Sequence, residues 1–83
     1  MTTQKEFRIL YYAVFREATG LSEETVRSAA PTAADLYREI SRTYGIPYGL
    51  STLTVALNDQ VVPWDTPLKN GDTVVFLAPF AGG

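Results

Sequence analysis

With 83 residues, 46% of them hydrophobic, the chain has the length and composition of one globular domain with a modest core. It contains no cysteine and no histidine, which excludes disulfides, zinc sites of the usual ligands, and every Ser-His-Asp or Cys-His arrangement. The net charge is −2 and the seven basic residues form no cluster, so the footprint of a nucleic-acid binder is absent.

Residues 7–15 read Phe-Arg-Ile-Leu-Tyr-Tyr-Ala-Val-Phe and predict a strand. Their near-continuous apolar character suits a central position in a sheet. Arg16, Glu17, Ala18, Thr19 and Gly20 break the pattern as a charged loop, and a weaker strand is predicted over 24–28. Pro31-Thr32-Ala33-Ala34-Asp35 is a helix start, with Thr32 as the N-cap and Asp35 suited to the positive end of the helix dipole. Ala33, Leu36, Tyr37, Ile40 and Tyr44 then recur on one helical face, with Asp35, Arg38, Glu39 and Arg42 on the other. Gly45 and Pro47 end the helix.

Residues 53–58 predict a strand with Leu53, Val55 and Leu57 on one face. Asn58-Asp59-Gln60 turns the chain into Val61-Val62, and Pro63 and Pro67 bound an irregular segment in which Trp64 fills core space. Asn70-Gly71-Asp72 is a tight turn with Gly71 at positive φ, and residues 73–78 form the last strand. The order is β-β-α-β-β(-β), an α+β pattern. Its two most apolar strands, first and last, pack best side by side and parallel in the sheet centre, with the helix across one face. That is the ubiquitin-like β-grasp: a mixed sheet, one main helix and an extended C-terminal tail. The expected division is a β-grasp domain over 1–78 and a flexible tail over 79–83.

No apolar run approaches the ~20 residues of a membrane span, and the N-terminal segment does not read as a signal peptide. A cytoplasmic protein without membrane or nucleic-acid partners is expected. No metal and no permanently bound cofactor is expected either, which moves attention to the end of the chain.

After Ala78 come Pro79, Phe80, Ala81, Gly82 and Gly83. Fully extended, five residues reach at most about 18 Å. Gly82 and Gly83 carry no Cβ and can enter a channel too narrow for side chains, while their N–H groups stay free for a partner. The last group is a carboxylate at Gly83. ATP can activate it as a mixed anhydride with AMP, and a sulfur donor can convert it to a thiocarboxylate, a far better nucleophile.

The chain resembles the MoaD/ThiS family of sulfur carriers, and most of all its molybdopterin synthase small-subunit branch. The resemblance rests on the apolar first strand followed by Phe15-Arg16-Glu17 and Gly20, on Val55-Ala56-Leu57-Asn58, on Thr66-Pro67-Leu68 with Asn70-Gly71-Asp72, and on Val75-Phe76-Leu77 leading to Gly82-Gly83. It implies that an E1-like, MoeB-like enzyme adenylates Gly83 with ATP and that sulfur transfer gives the thiocarboxylate. The tail then enters a MoaE-like large synthase subunit, in a heterotetramer, and donates sulfur to build the molybdopterin dithiolene. In such a scheme this chain supplies the nucleophile and no catalytic side chain. Two departures stand out: Ala78 replaces the first of two tail prolines usual in the family, and Phe80 stands where a smaller aliphatic is common.

Gly82 and Ala81 would give the tail access, and Phe80 and Pro79 would contact a partner. Of Phe76 and Leu77, one faces the core and the other the opposite sheet face, where a partner surface is expected. The resemblance makes Arg16, with Glu17, a contact for the activating enzyme. Lys69 is a turn lysine. The residues leave three alternatives open: a carrier for thiazole or cysteine synthesis, a ubiquitin-like modifier joined to lysines through Gly83, and a β-grasp interaction module with an idle tail.

Overall fold

The computed structural model describes residues 4–78. Within them lie β1 (Lys5–Leu10), α1 (Val14–Thr19), β2 (Glu23–Ser28), α2 (Ala33–Tyr44), a 3-10 turn (Leu50–Thr52), β3 (Thr54–Leu57), β4 (Gln60–Val62) and β5 (Thr73–Leu77). The strands form one sheet in the order β2-β1-β5-β3-β4. β1 and β5 are parallel neighbours at its centre, with Arg8, Ile9 and Leu10 opposite Thr73, Val74 and Val75. The other pairings are antiparallel. This is the predicted arrangement of first and last strands.

The first predicted strand is corrected. It ends at Leu10, and the segment read as its second half and a charged loop contains the helix α1. The break comes at Ala13, whose φ of 49° and ψ of −122° cannot continue an extended chain. Phe15 then turns into the core, 1% exposed, and Gly20 ends α1 in the left-handed region with its N–H on the Arg16 carbonyl.

α2 begins and ends as predicted. The Thr32 hydroxyl oxygen accepts from the Asp35 N–H at 3.3 Å, while the hydroxyl donates to the Asp35 carboxylate at 2.7 Å. Gly45 closes the helix at φ 66°, its N–H bonded to the Ser41 carbonyl. Ala33, Leu36, Tyr37 and Ile40 are buried and Tyr44 half-buried, whereas Arg38, Glu39 and Arg42 are exposed. The helix therefore presents its apolar stripe to the sheet.

From the sheet, Phe7, Ile9, Val55, Leu57, Val74 and Phe76 join the helix residues and Phe15 in one core. An aromatic cluster lies at its centre. The Phe76 ring sits 5.1 Å from Tyr37 edge-on, 6.1 Å from Phe15, and 6.1 Å from Trp64 in a stacked arrangement. Trp64 also donates from its indole nitrogen to the Leu53 carbonyl at 3.3 Å, consistent with a core-filling role.

Two turns brace the sheet. Asn58 and Asp59, with φ of 51° and 71°, make the tight β3–β4 hairpin turn. Asn58 bridges to the start of β5, donating to the Asp72 carboxylate at 2.9 Å and accepting from the Thr73 N–H at 3.0 Å. Gly71 takes φ 90°, as predicted.

A second brace joins β2 to α2. Tyr11 and Tyr44 both donate to the Glu24 carboxylate, at 2.7 and 2.8 Å. Burial first, then the bond to Glu24, raises the Tyr11 phenol well above the ordinary tyrosine value, and the bond to Glu24 raises Tyr44. The folded protein thus holds phenol protons that the unfolded chain releases at a pH of about 10. This contribution is complete below that pH and is lost as the pH rises past it. Thermal unfolding followed by circular dichroism should show a midpoint that falls above pH ~10, and Tyr11→Phe should make that alkaline fall shallower.

Candidate functional site

The tail residues Pro79, Phe80, Ala81, Gly82 and Gly83 lie outside the described residues, so the site is built from its base. The chain reaches the tail directly from β5. Alternation along β5 sends Val74 and Phe76 into the core and Thr73, Val75 and Leu77 to the opposite face. Leu77, 37% exposed, is the last strand residue before Ala78.

Register extends this open face into an apolar band. Leu10 lies opposite Val75, Val75 opposite Ala56, and Ala56 opposite Val61. Residues directly opposite in a sheet share a face. The band therefore crosses β1, β5, β3 and β4, with Leu77 beside it. Val61 is 64% exposed and Tyr12, just past the end of β1, is 54% exposed. Leu10 and Val75 are half-buried and Ala56 is 8% exposed, so the accessible apolar surface on the face away from the helix centres on Val61, Tyr12 and Leu77, which makes it the candidate interaction surface.

Charge borders the band at β2. Glu23 lies opposite Leu10, and its carboxylate takes two hydrogen bonds from Arg8, both at 3.0 Å. That fork raises the Arg8 guanidinium and lowers the Glu23 carboxyl from their ordinary values, the hydrogen bond being the larger cause and the charge attraction the next. Both side chains are over half exposed, so the pair fixes orientation at the rim more than it stabilises the fold.

Arg16 stands exposed on α1, with its guanidinium directed at the Ser22 hydroxyl at 3.1 Å. Because β1 and β5 run parallel, α1 follows β1 at the same end of the sheet from which β5 leads toward the tail. Arg16 and Leu77 thus share an end of the molecule. Phe76 does not belong to that surface. It was expected among the partner contacts, but it is 1% exposed and enclosed by Phe15, Tyr37 and Trp64.

Leu10, Ala56, Val61 and Val75 were not singled out from the sequence. Their signal was present. In the largely apolar segments 7–15, 53–58, 61–62 and 73–78, alternate residues of a strand must point away from the core. What the runs lacked was the register that lines these residues up.

Among the described residues, no three carboxylates gather as a metal-ligand set, and no buried side-chain polar atom lacks a hydrogen-bond partner. No helix among them is long and apolar enough to cross a membrane.

A model of the ThiS family matches residues 9–83. The molybdopterin synthase sulfur carrier subunit of Escherichia coli is 30% identical over 79 residues, covering 92% of this chain and 98% of the relative. A solved protein–protein complex of subunits 1 and 2 of the molybdopterin-converting factor from Helicobacter pylori contains a chain that matches with a TM-score of 0.61. That match has 25% identity and covers 94% of this chain and 99% of the other. Small archaeal modifier protein 1 of Methanosarcina acetivorans superimposes with a TM-score of 0.76 at 19% identity, over 98% of this chain and 99% of its own, a likeness of fold. The fold is the ubiquitin-like β-grasp.

The two faces of β5 predict unequal costs of truncation. Phe76→Ala should destabilise the fold by about 3–5 kcal/mol. Leu77→Ala, one residue on, should cost less than about 1 kcal/mol, with urea unfolding as the measurement for both.

Proposed function

The chain belongs to the ThiS family, and on that premise we propose that it is the sulfur-carrying small subunit of a molybdopterin synthase. The observation that carries the reading is the family match, which runs through the last strand and includes Gly82 and Gly83. The naming of the E. coli relative and the two-subunit complex of the H. pylori neighbour support the pathway.

The Gly83 carboxylate attacks the α-phosphate of ATP within an E1-like activating enzyme. Pyrophosphate leaves and an acyl-adenylate remains. Hydrosulfide then attacks the acyl carbon and AMP leaves, which puts a thiocarboxylate on Gly83; where the donor is a persulfide, a second thiol attacks the donor sulfur of the acyl disulfide and releases the same thiocarboxylate with formation of a disulfide. Gly82 and Ala81 let the tail into the partner's channel, while Pro79 and Phe80 seat against its mouth. In the large synthase subunit the thiocarboxylate sulfur attacks a carbon of the pterin precursor and displaces an oxygen substituent, and water then hydrolyses the resulting thioester, leaving the sulfur on the pterin and returning the Gly83 carboxylate.

The geometry supports this division of labour. β5 is held at the sheet centre, so the tail begins from a fixed point. The apolar band of Leu10, Val75, Ala56 and Val61 lies beside that point, with Leu77 at its edge and the Arg8–Glu23 fork at its rim. A partner that covers the band would hold the tail's origin fixed relative to its own channel. The activating enzyme and the large subunit use the same face in turn, with Arg16 contacting the activating enzyme, and the latter complex is a heterotetramer.

Incubation of the chain with an E1-like enzyme, ATP and sulfide, followed by intact-mass measurement, tests the reading. The expected product is heavier by the difference between one sulfur and one oxygen atom, located on the C-terminal glycine. Unchanged mass, with the chain joined to lysines of other proteins, would identify a modifier and contradict the carrier. A thiocarboxylate consumed by thiazole- or cysteine-forming enzymes, and not by a large synthase subunit, would reassign the pathway.

A further inference from the structure

The β2 edge of the sheet has a pattern that the carrier role leaves unused. In the antiparallel β1–β2 pair, residue numbers of opposite partners run from Lys5 with Ser28 to Leu10 with Glu23. One step beyond, the Tyr11 N–H donates to the Ser22 carbonyl at 2.8 Å. Hydrogen-bonded and non-bonded pairs alternate in such a ladder. Ser22, Glu24, Val26 and Ser28 therefore turn their backbone groups toward β1. Glu23, Thr25 and Arg27 turn theirs outward, and all three are exposed. β2 ends the sheet, so among the described residues no strand takes up those groups.

We propose that this edge pairs with the β2 edge of a second copy, antiparallel, about a two-fold axis through Thr25. Charge selects the register. With Thr25 opposite Thr25, Glu23 of each copy lies opposite Arg27 of the other, on the same face. A two-fold through Glu23 or Arg27 sets like charges opposite each other, which is destabilising. One through Glu24 or Val26 matches no opposite charges. The chosen register also continues an alternation already present, because Arg27 lies opposite Glu6 in its own sheet. Thr25 facing Thr25 adds a favourable cross-strand pair.

The other edge is a poorer template. β4 has three residues and is followed at once by Pro63, which has no N–H to donate. Pairing through β2 leaves β5, the apolar band on β1, β5, β3 and β4, and the tail base uncovered, so self-association and partner docking meet only at Glu23, whose carboxylate also takes the Arg8 fork at the rim of the band. The contact is a single strand edge, far below a standard interface, so the dimer is weak.

Sedimentation equilibrium of the full chain from about 10 μM to about 1 mM tests the inference. The expected result is a reversible monomer–dimer equilibrium that weakens in high salt. Arg27→Glu and Glu23→Arg should each weaken it about tenfold, and an equimolar mixture of the two variants should form a heterodimer, since their edges are then complementary. Thr25→Pro removes an outward N–H while leaving the β1 ladder intact, and should also weaken the dimer. A chain that stays monomeric at the highest concentration overturns the proposal. So does a dimer that persists unchanged in Arg27→Glu and Thr25→Pro, which would place the contact on another surface.

Discussion

The parallel pairing of β1 with β5 is the constraint on which the rest of the structure depends. Parallel neighbours cannot be joined by a hairpin, so the chain between them must cross over the sheet. That crossover holds α2, whose apolar stripe covers one face. With β5 flanked by β1 and β3, its alternation is forced: Val74 and Phe76 enter the aromatic core, while Val75 and Leu77 look the other way. The same pairing puts the end of β5 beside the end of β1 and near α1. The place where the tail begins is thus set by the strand at the centre of the sheet.

The sheet consequently has two faces of different use. The helix-covered face carries the core, with its buried polar groups satisfied by partners such as Glu39 for Ser28 and Glu24 for Tyr11. The other face keeps a band of aliphatic side chains that no helix among the described residues covers. Its rim is charged and its middle is not, the composition expected of a surface that a partner covers. In the proposed carrier the same strand serves both faces, holding the fold through one set of side chains and offering a docking surface through the other. That proposal assigns the chemistry to the main-chain terminus, which agrees with a chain that has no cysteine or histidine.

Much of this was legible in the sequence, for identifiable reasons. Thr32 and Gly45 announce their roles because capping is local chemistry, and the helix stripe follows from spacing alone. The central pair was expected from the apolar runs 7–15 and 73–78, although β1 as folded is Lys5–Leu10 and carries Lys5, Glu6 and Arg8, so only β5 is itself largely apolar. The turn from Tyr11 into α1 was not. Tyr11, Val14 and Phe15 continue an apolar run, and such a run does not distinguish strand from helix by content. The deciding event is the backbone at Ala13, in a region that no feature of alanine announces. Alternation showed that Phe76 and Leu77 point to opposite faces, but only packing assigned Phe76 to the core. The open band was invisible for a related reason: Leu10, Val75, Ala56 and Val61 are far apart in sequence, and register alone unites them.

The central claim is that the C-terminal glycine is the working group and that the folded domain exists to position it. Its most direct test is molybdopterin formation in a reconstituted system, comparing the full chain with one lacking Gly83. The account predicts that the shortened chain unfolds at the same temperature as the full chain and forms no product. Product formed at an undiminished rate by the shortened chain would contradict it.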